Sequence, residues 1–440
     1  MKNTIVSKFG GSETSTPEGV KRAIEIVKSN PARRYVVASA PAQTSKSPGI
    51  TDLLFMCHSS FHSGDNYVEM LGKISNVYES IIDGLNVNFD LDAEILEVKK
   101  ALITGADVNQ IASRGEYIMG KILASVLGWD FVDASEIIFF NSDGTLDEEK
   151  TFTTAGSRLK NLAHAVIPGF YGKTPDGKIK TFQRGDGDSS GAIVARAVGA
   201  DLLEKWSETT KIFGADPAVI PYAELIPAIT YSEAIELNYI GINIISDNVI
   251  FMMRDADIPI RVASIYSDKN TMITSRKAED NLNDVAVCVA GRRNFSLLHI
   301  EKYGLNKQYG FGERLFGLLA KYHIACEHCL SGIYKMSLAL KSPLFDLRRK
   351  EIFSEINKII DPDSLSIEKN LSLIAVIGQG MGTTKGIFEK VFAALAKADI
   401  KVRMIDQGSD DLNIMIGVRD SDYENAVRAL YANMIAHVGA

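Results

Sequence analysis

The sequence contains no run of about 18 apolar residues, the length that a helix needs to cross a membrane. It also contains no low-complexity stretch, and its 46% hydrophobic and 23% charged residues are typical of soluble globular proteins. The basic residues are scattered and the formal net charge is −7, so a surface for nucleic acid is not indicated. These absences favour small-molecule chemistry in a chain of 440 residues, which is long enough for two or three domains.

Cysteine is scarce, with four residues in the chain. Cys57 and Cys288 lie among apolar neighbours, whereas Cys326 and Cys329 form a Cys-x-x-Cys pair that contains His328. A zinc site would need a second pair of ligands, which the sequence does not offer, so we expect no metal site and buried, reduced thiols. The N-terminus enters a strand-like pattern at once and leaves no room for a signal peptide, and we therefore expect a cytoplasmic protein.

The order of apolar patterns at the N-terminus predicts a parallel β-sheet. Apolar runs at residues 4–9 and 35–40 flank a helix-like segment at 19–28, which is a βαβ order. Residues 51–127 are mostly helical in period, and residues 166–181 predict a strand followed by a turn-rich hairpin. Ligands of such sheets bind at the C-terminal ends of the strands, so this edge is where we expect a site.

The pattern changes after residue 276, where we place a domain boundary. Beyond it the chain shows two copies of the order strand, helix, strand, strand, helix, and the second copy starts at Leu373. Each copy matches the split βαβ plan. The repeat predicts two small α+β sandwiches of the kind found in paired sensing modules, although a repeat by itself indicates fold rather than function.

Two glycine-containing segments carry the candidate chemistry. Lys8 ends the first strand and precedes Gly10 and Gly11, whose backbone N–H groups can approach a phosphate. Residues 183–190 place an arginine and two aspartates just before a helix, which suits a carboxylate, an ammonium group or a magnesium-bound water. The same alternation of acids and glycines suggests a calcium loop, but the glutamate that ends the EF-hand pattern is absent.

Both segments belong to an ordered set of motifs: Lys8-Phe9-Gly10-Gly11-Ser12, Ser39-Ala40, Gly49-Ile50-Thr51-Asp52, Ser113-Arg114-Gly115-Glu116, Arg184-Gly185 with Asp188, and Asp216-Pro217. With this order and spacing the chain resembles the aspartate kinase family. The similarity continues in a second set: Gly310-Phe311-Gly312, Glu327-His328, Ser331-Gly332-Ile333, Gly378-Gln379-Gly380-Met381 and Ile405-Asp406-Gln407-Gly408. These motifs resemble the paired ACT domains of that family, so the resemblance covers almost the whole chain.

The resemblance implies an α/β fold: a three-layer αβα sandwich with a mainly parallel sheet, the amino acid kinase fold, followed by two ferredoxin-like α+β ACT domains. The implied ranges are 1–276 for the catalytic domain, 284–366 for the first ACT domain, completed by 427–440, and 367–426 for the second ACT domain. The sheet edges that such small domains leave open predict pairing between subunits, in a homodimer or a higher homo-oligomer.

The resemblance also implies the reaction, in which ATP phosphorylates the β-carboxylate of L-aspartate to give 4-phospho-L-aspartate. This is the first step of lysine, threonine and methionine biosynthesis, and magnesium accompanies the nucleotide. By the same match the catalytic residues are Lys8 and Asp188, and the aspartate-binding residues are Ser39, Thr51, Glu116 and Arg184. The implied ATP-binding residues are Lys8, Gly10, Gly11, Ser12, Ser207, Glu208 and Asp216. An amino-acid effector is implied at the ACT domains, with Ser331 and Gly332 as candidate contacts.

The sequence departs from the family pattern mainly around the nucleotide. Asp186 adds a carboxylate near the implied phosphates, and Asn243 occupies a position that is often lysine. Ser207-Glu208 stands in place of Thr-Asp, and Ala218 in place of an arginine. In the ACT region Tyr334 replaces an aspartate that meets the effector amine in lysine-sensitive members, so we expect weak or absent inhibition by lysine.

Two other functions stay open on the sequence alone. The altered loop at residues 183–188 suits a related kinase that phosphorylates another amino-acid carboxylate. The changes at Asp186, Glu208 and Ala218 suit a non-catalytic amino-acid-binding regulatory protein. The retained Lys8 and Asp188 argue against a decayed site. For each site residue taken singly, a structural role such as a helix cap or a solvated ion pair is the alternative.

Overall fold

The computed structural model describes residues 3–45, 47–183, 186–207, 212–275, 286–408 and 411–435, and divides the chain into two compact units. The first unit comprises Met1–Ile212, Pro227–Ala234 and Ile244–Lys277. The second comprises Phe213–Ile226, Ile235–Asn243 and Ala278–Ala440. Two short segments that the sequence places before the boundary therefore cluster with the C-terminal part, and the expected boundary at residue 276 lies outside the described residues.

The first unit contains the following strands: β1 (Ile5–Phe9), β2 (Arg33–Ala38), β3 (Asp130–Phe131), β4 (Ala165–Pro168), β5 (Tyr171–Lys173), β6 (Ile179–Thr181), β7 (Leu202–Trp206), β8 (Ala228–Thr230), β9 (Ile260–Ser264) and β10 (Ser267–Thr274). Within the described residues they form an eight-stranded sheet in the order β3-β4-β2-β1-β7-β9-β10-β8, and β5 and β6 form a separate hairpin. Neighbouring strands of the large sheet are parallel except β9 and β10. The predicted mainly parallel sheet is confirmed.

The helices up to the domain boundary are α1 (Pro17–Ser29), α2 (Ile50–Ser63), α3 (Tyr67–Leu85), α4 (Leu91–Ile103), α5 (Val108–Ala112), α6 (Arg114–Leu127), α7 (Ala134–Ile137), α8 (Glu148–Lys160), α9 (Asp188–Val198), α10 (Tyr231–Tyr239) and α11 (Asp247–Asp255). They follow local signals, as α1 shows: the Thr16 hydroxyl caps its first turn by accepting a hydrogen bond from the Gly19 N–H, and Pro17 occupies its first position. The run α2 to α6 confirms the helical period predicted for residues 51–127.

Strand β1 is buried at all five positions. Such a strand has helices over both faces of the sheet, which explains its continuous apolar character apart from Ser7 and Lys8. Apolar side chains of α1, α2, α3 and α6 join residues of β1 and β2 in one buried cluster. The two polar side chains of β1 therefore need partners inside the protein, and both have them.

The second unit contains the strands β11 (Cys288–Glu301), β12 (Cys326–Ser331), β13 (Lys335–Lys341), β14 (Ser364–Ile377), β15 (Met404–Asp406) and β16 (Asn413–Arg419) and the helices α12 (Phe311–Lys321), α13 (Ser342–Ile359), α14 (Ile387–Lys397) and α15 (Tyr423–Met434). The strands form an antiparallel sheet in the order β12-β13-β11-β14-β16-β15. This confirms the predicted repeat of strand, helix, strand, strand, helix. The two copies share one sheet because β11 and β14, with 14 residues each, pair along both halves.

Helix α15 packs differently from the expectation that residues 427–440 complete the first ACT domain. Its buried face joins α14 and β16 in the core of the second copy through Ala426, Val427, Leu430 and Tyr431. The core of the first copy is filled by α12 and α13 instead. The expectation is wrong for the described part of the segment, because the apolar stripe of α15 finds its neighbour in the helix of its own repeat.

The cysteines also differ in part from the expectation. All four are free, and Cys57 and Cys288 are buried, but Cys326 is half-buried and Cys329 is exposed. The prediction of a buried thiol is therefore wrong for Cys329, which lies on the edge strand β12. Across the described residues, the helices are all too short or too polar to cross a membrane.

Candidate active site

The turn after β1 brings its backbone against neighbouring strand ends. The Gly10 N–H donates to the Trp206 carbonyl oxygen at 3.1 Å, and the Gly11 carbonyl accepts from the Ala42 N–H at 3.0 Å. A Cβ on Gly11 would lie 2.8 Å from the Ala40 carbonyl oxygen, so only glycine fits there. Ser12 lies in the same turn with an exposed side chain.

Lys8 and Asp188, the two predicted catalytic residues, meet in an ion pair. The Lys8 Nζ lies 2.7 Å from Oδ1 of Asp188, which opens α9, and the Lys205 Nζ lies 2.8 Å from Oδ2. Burial raises the pKa of Asp188, but the two ammonium groups outweigh it and hold that pKa at about 2. Asp188 is therefore a permanent anion between two lysines.

Five of the predicted residues line one pocket of about 280 Å³: Lys8, Gly11, Ser39, Thr51 and Glu116. Lys8 comes from β1, Ser39 follows β2, and Thr51 and Glu116 lie in the first turns of α2 and α6. The C-terminal ends of adjacent parallel strands and two helix N-termini thus converge, which is the expected place for a ligand in such a sheet. Gly11 and Gly187, one from each of the two glycine-containing segments, also line the pocket.

Glu116 is the buried acid of this pocket. Glu116 is 6% exposed, and its Oε2 has no hydrogen-bond partner. Burial raises its pKa to about 7, against the opposing effects of backbone N–H groups and of Lys8. A buried pocket-lining carboxylate that is half-ionised at neutral pH and has one oxygen without a hydrogen-bond partner suits a cationic ligand group.

Arg114, which belongs to the same motif as Glu116, has structural partners. Its guanidinium donates to the Ser113 hydroxyl and lies over the Tyr117 ring, 4.2 Å from the ring centroid. It is not among the side chains that line the pocket. Of the neighbouring pair Arg114 and Glu116, the structure therefore brings only Glu116 into the site.

Phe170 is a pocket residue that the sequence analysis missed. It lines the same cavity and has a φ of 77°, a left-handed conformation that is rare for a bulky side chain. Its N–H donates to the Ser190 hydroxyl at 2.9 Å, which ties it to α9. Backbone strain of this kind concentrates at functional sites. The signal in the sequence, Gly169-Phe170 at the end of a buried strand, was too short to stand out.

The other predicted residues are placed elsewhere or lie outside the described residues. Ser207 follows β7, and its N–H donates to the Ala263 carbonyl. Asp216 belongs to the second unit, where its Oδ1 accepts from the Ala218 N–H at 2.9 Å. Arg184, its neighbour Gly185, and Glu208 fall outside the described residues, so their assignments stay predictions.

A larger cavity of about 690 Å³ is bordered by Asp186 and Ser189, which precede and open α9. The Asp186 Oδ1 accepts a hydrogen bond from the Ser246 hydroxyl at 3.0 Å. The extra carboxylate that the sequence predicted near the phosphates thus lines this cavity and not the pocket of Lys8 and Glu116. The candidate chemistry is concentrated in the smaller cavity.

Ser331 and Gly332, the candidate effector contacts, lie where β12 turns into β13. The Gly332 N–H donates to the Lys335 carbonyl at 2.7 Å, which closes a tight hairpin. Ile333 and Tyr334 at its tip are 71% and 58% exposed. The hairpin therefore presents an apolar tip at the position where the family pattern has an acid.

Comparisons with known proteins agree with this architecture. The model of the amino acid kinase family matches residues 3–264, and an ACT domain model matches residues 374–434. Aspartokinase 3 of Bacillus subtilis is 28% identical over 98% of this chain and 99% of its own length. The crystal structure of the aspartate kinase of Clostridium acetobutylicum is 36% identical, covers 98% of this chain and 100% of that one, and superposes with a TM-score of 0.91.

A more distant structure shows the same fold. Aspartokinase III of Escherichia coli, solved in complex with aspartate and ADP, is 23% identical and has a TM-score of 0.74 over 98% of this chain. The family model covers more than half of the chain, and the Clostridium relative is aligned over its full length. The chain belongs to the amino acid kinase family and, within it, to the aspartate kinases.

Proposed function

We propose that this chain transfers the γ-phosphoryl group of ATP to the β-carboxylate of L-aspartate, producing 4-phospho-L-aspartate and ADP. The observation that carries the proposal is the pocket in which Lys8, an anion-binding cation, and Glu116, a buried acid with a vacant oxygen, face the same space. Its volume of about 280 Å³ suits a small amino acid better than a large ligand.

The pocket offers a complementary partner for each end of aspartate. The ammonium group binds Glu116, which gains the cation that its buried oxygen lacks. Ser39 and Thr51 supply hydroxyl groups for carboxylate oxygens. Arg184, which lies outside the described residues, is proposed as the bidentate partner of a carboxylate.

The reaction needs positioning more than acid–base chemistry. An oxygen of the β-carboxylate, already ionised at neutral pH, forms a bond to the γ-phosphorus, and the bond from that phosphorus to the oxygen bridging the β- and γ-phosphates breaks. The electron pair leaves with ADP, so no base is required. Lys8 stabilises the negative charge that spreads over the transferring group, and Asp188 holds the Lys8 ammonium in place.

Magnesium fits this site as a companion of the nucleotide. In the part of the chain that the structure describes, no group of three or more His, Cys, Asp and Glu side chains is arranged to hold a metal ion. Mg²⁺ commonly keeps several waters and is held mainly by substrate phosphates, and it then supplies charge neutralisation. The residues present suit that arrangement, because Asp188 is already shared by two lysines.

The pathway, the compartment, the effector site and the oligomeric state are further proposals. We place the reaction at the start of lysine, threonine and methionine biosynthesis, in the cytoplasm. An amino-acid effector is proposed for the second unit, at the hairpin of Ser331 and Gly332. A homodimer is proposed through the edges of its antiparallel sheet, which β12 and β15 form in the described residues.

The proposal is tested by measuring ADP formation by the purified full chain with Mg-ATP and L-aspartate, L-glutamate or no acceptor. We expect turnover with aspartate alone, lost in the Lys8→Ala variant. The matched control is Lys178→Ala, which removes a lysine that is 70% exposed in the same unit and should leave the rate unchanged. Turnover with glutamate alone, or none that depends on an acceptor, would contradict the proposal.

A further inference from the structure

Lys205 lies beside Lys8 at the C-terminal edge of the sheet. Strands β1 and β7 are parallel neighbours, and their register pairs Lys8 with Lys205 and Ser7 with Glu204. Residues paired across adjacent strands point to the same face, and successive residues alternate between faces. Lys8 and Lys205 therefore share one face, while Ser7 and Glu204 share the other, where the Ser7 hydroxyl donates to the Glu204 carboxylate.

The contacts of Lys205 fix its ammonium group in place. Its Nζ lies 2.8 Å from Oδ2 of Asp188 and donates to the Ile244 carbonyl at 2.6 Å. The side chain is 14% exposed, close to the 10% of Lys8. The aspartate thus bridges the two lysines, with one carboxylate oxygen for each.

The charges of this cluster do not balance. Two ammonium groups flank one carboxylate, which leaves a net positive charge where water has limited access. Holding two like charges close together is unfavourable unless an anion is present. Asp188 offsets one of them, so the cluster of Lys8, Lys205 and Asp188 has the charge of a receptor for a further anion.

We propose that Lys205 is a second phosphate-binding lysine of this enzyme, which contacts the β- and γ-phosphates of ATP together with Lys8. This inference rests on the proposed function, because it assigns the anion to the nucleotide. Asp188 sets the spacing of the two ammonium groups, so that both are in place before ATP binds. Preorganised charge of this kind stabilises a transferring phosphoryl group without reorganisation during the reaction.

The segment that receives the Lys205 ammonium has no charge of its own. Residues 241–246 contain no charged side chain, and the Ile244 carbonyl among them accepts the hydrogen bond from the Lys205 Nζ. Lys205 therefore supplies a positive charge beside a segment that has none.

The test compares Lys205→Met and Lys205→Arg with the wild-type chain and with the control Lys178→Met. Binding of Mg-ATP and of AMP is measured by calorimetry, and steady-state kinetics are measured with ATP and aspartate varied in turn. Lys205→Met should weaken ATP binding about 10- to 100-fold, as expected for loss of a hydrogen bond to a charged group. AMP lacks the phosphates in question, so its affinity and the KM for aspartate should stay unchanged, and Lys205→Arg should recover most of the ATP affinity.

Three outcomes are decisive. Equal ATP affinity in Lys205→Met and the wild-type chain would overturn the proposal. Equal weakening of ATP and AMP, together with a lower melting temperature, would assign Lys205 a structural role and overturn it as well. Absence of aspartate-dependent turnover in the wild-type chain would overturn the proposed function alone, because the comparison of ATP with AMP tests Lys205 without turnover.

Discussion

At the scale of single residues, burial and ligand binding are coupled most directly at Glu116. Burial raises the pKa of its carboxyl to about 7, far above its usual value of 4.5. Binding of an ammonium group favours the ionised form. The affinity for aspartate should therefore depend on pH through the ionisation of this one side chain.

We predict that aspartate binding weakens as the pH falls from 8 to 6. Below its pKa of about 7 the Glu116 carboxyl is mostly protonated in the free enzyme, so each further pH unit should cost up to about tenfold in affinity. Calorimetry in buffers of different ionisation enthalpy should also detect proton release on binding at neutral pH. An affinity that is constant between pH 6 and pH 8 would contradict this role for Glu116.

The Glu116→Gln variant is the control for this prediction, because it should stay folded while its aspartate binding is weak and independent of pH. A raised carboxyl pKa means that the folded chain binds the proton more tightly than the unfolded chain. Stability should thus fall as pH rises from about 4.5 to about 7, and the variant should escape that loss. We expect its melting temperature at pH 8 to equal or exceed that of the wild-type chain.

The site residues that could be predicted from the sequence are those that lie in short motifs. Lys8, Ser39, Thr51 and Glu116 occur in short motifs with a fixed order, and the fold brings all four to one pocket. Lys205 has no such motif. Its place beside Lys8 is set by the register of two strands that are 197 residues apart, which one sequence does not reveal.

At the scale of elements, the central strands are joined by a buried ion cluster on the face opposite to the pocket. Glu204 of β7 is fully buried and pairs with Arg33 of β2 and Arg261 of β9, while also accepting from Ser7 of β1. Burial raises the pKa of this carboxyl, but Arg33, together with hydrogen bonds from Trp206 and Ser7, holds that pKa below its usual value. The cluster thereby links four strands whose ends position Lys8 and Ser39.

We predict that Arg33→Ala destabilises the fold by about 3 kcal/mol, because it removes one partner of a buried charge. Denaturant unfolding followed by circular dichroism measures the change. The control is Arg158→Ala, whose guanidinium is half exposed and lies 4.0 Å from Glu136, and which should change the free energy of unfolding by no more than about 0.5 kcal/mol. Equal stability of the two variants would show that the cluster contributes nothing to folding.

The hairpin between β12 and β13 carries the prediction about regulation. Its tip presents Ile333 and Tyr334 in place of an acid, so the ammonium group of a lysine side chain has no charge partner at that position. Millimolar lysine should lower the initial rate only weakly or not at all, at saturating and at sub-saturating aspartate. Strong inhibition by lysine would show that another acid receives its amine.

The elements themselves were largely predictable, and the exceptions have physical causes. Hydrophobic period and turn residues located the first βαβ order, the helices of residues 51–127, the strand and hairpin of residues 166–181 and the repeat in the second unit. They did not reveal that β11 and β14 run through both repeats. A local pattern can predict a strand, but it does not show which strand pairs with it or over what length. They also misplaced α15, because its partner is decided by packing between helices and not by position in the chain.

At the scale of the whole molecule, the chain combines a catalytic unit with a repeat of two ACT-like copies. The strands of the parallel sheet end along one edge, and the described residues that line the pocket of Lys8 and Glu116 all belong to that first unit. The fold class followed from the alternation of patterns along the sequence. The segments 213–226 and 235–243 fall within the range 1–276 implied for the catalytic domain but cluster with the second unit, because their unit is decided by long-range contacts.

The central claim is that the chain phosphorylates the side-chain carboxylate of aspartate, and trapping the product tests it most directly. Hydroxylamine converts an acyl phosphate into a stable hydroxamate, which mass spectrometry identifies. With Mg-ATP and L-aspartate, the account predicts the β-hydroxamate of aspartate, formed by the wild-type and Lys178→Ala chains and absent with Lys8→Ala. Formation of a hydroxamate from another amino acid only, or of none while ATP and aspartate both bind, would contradict it.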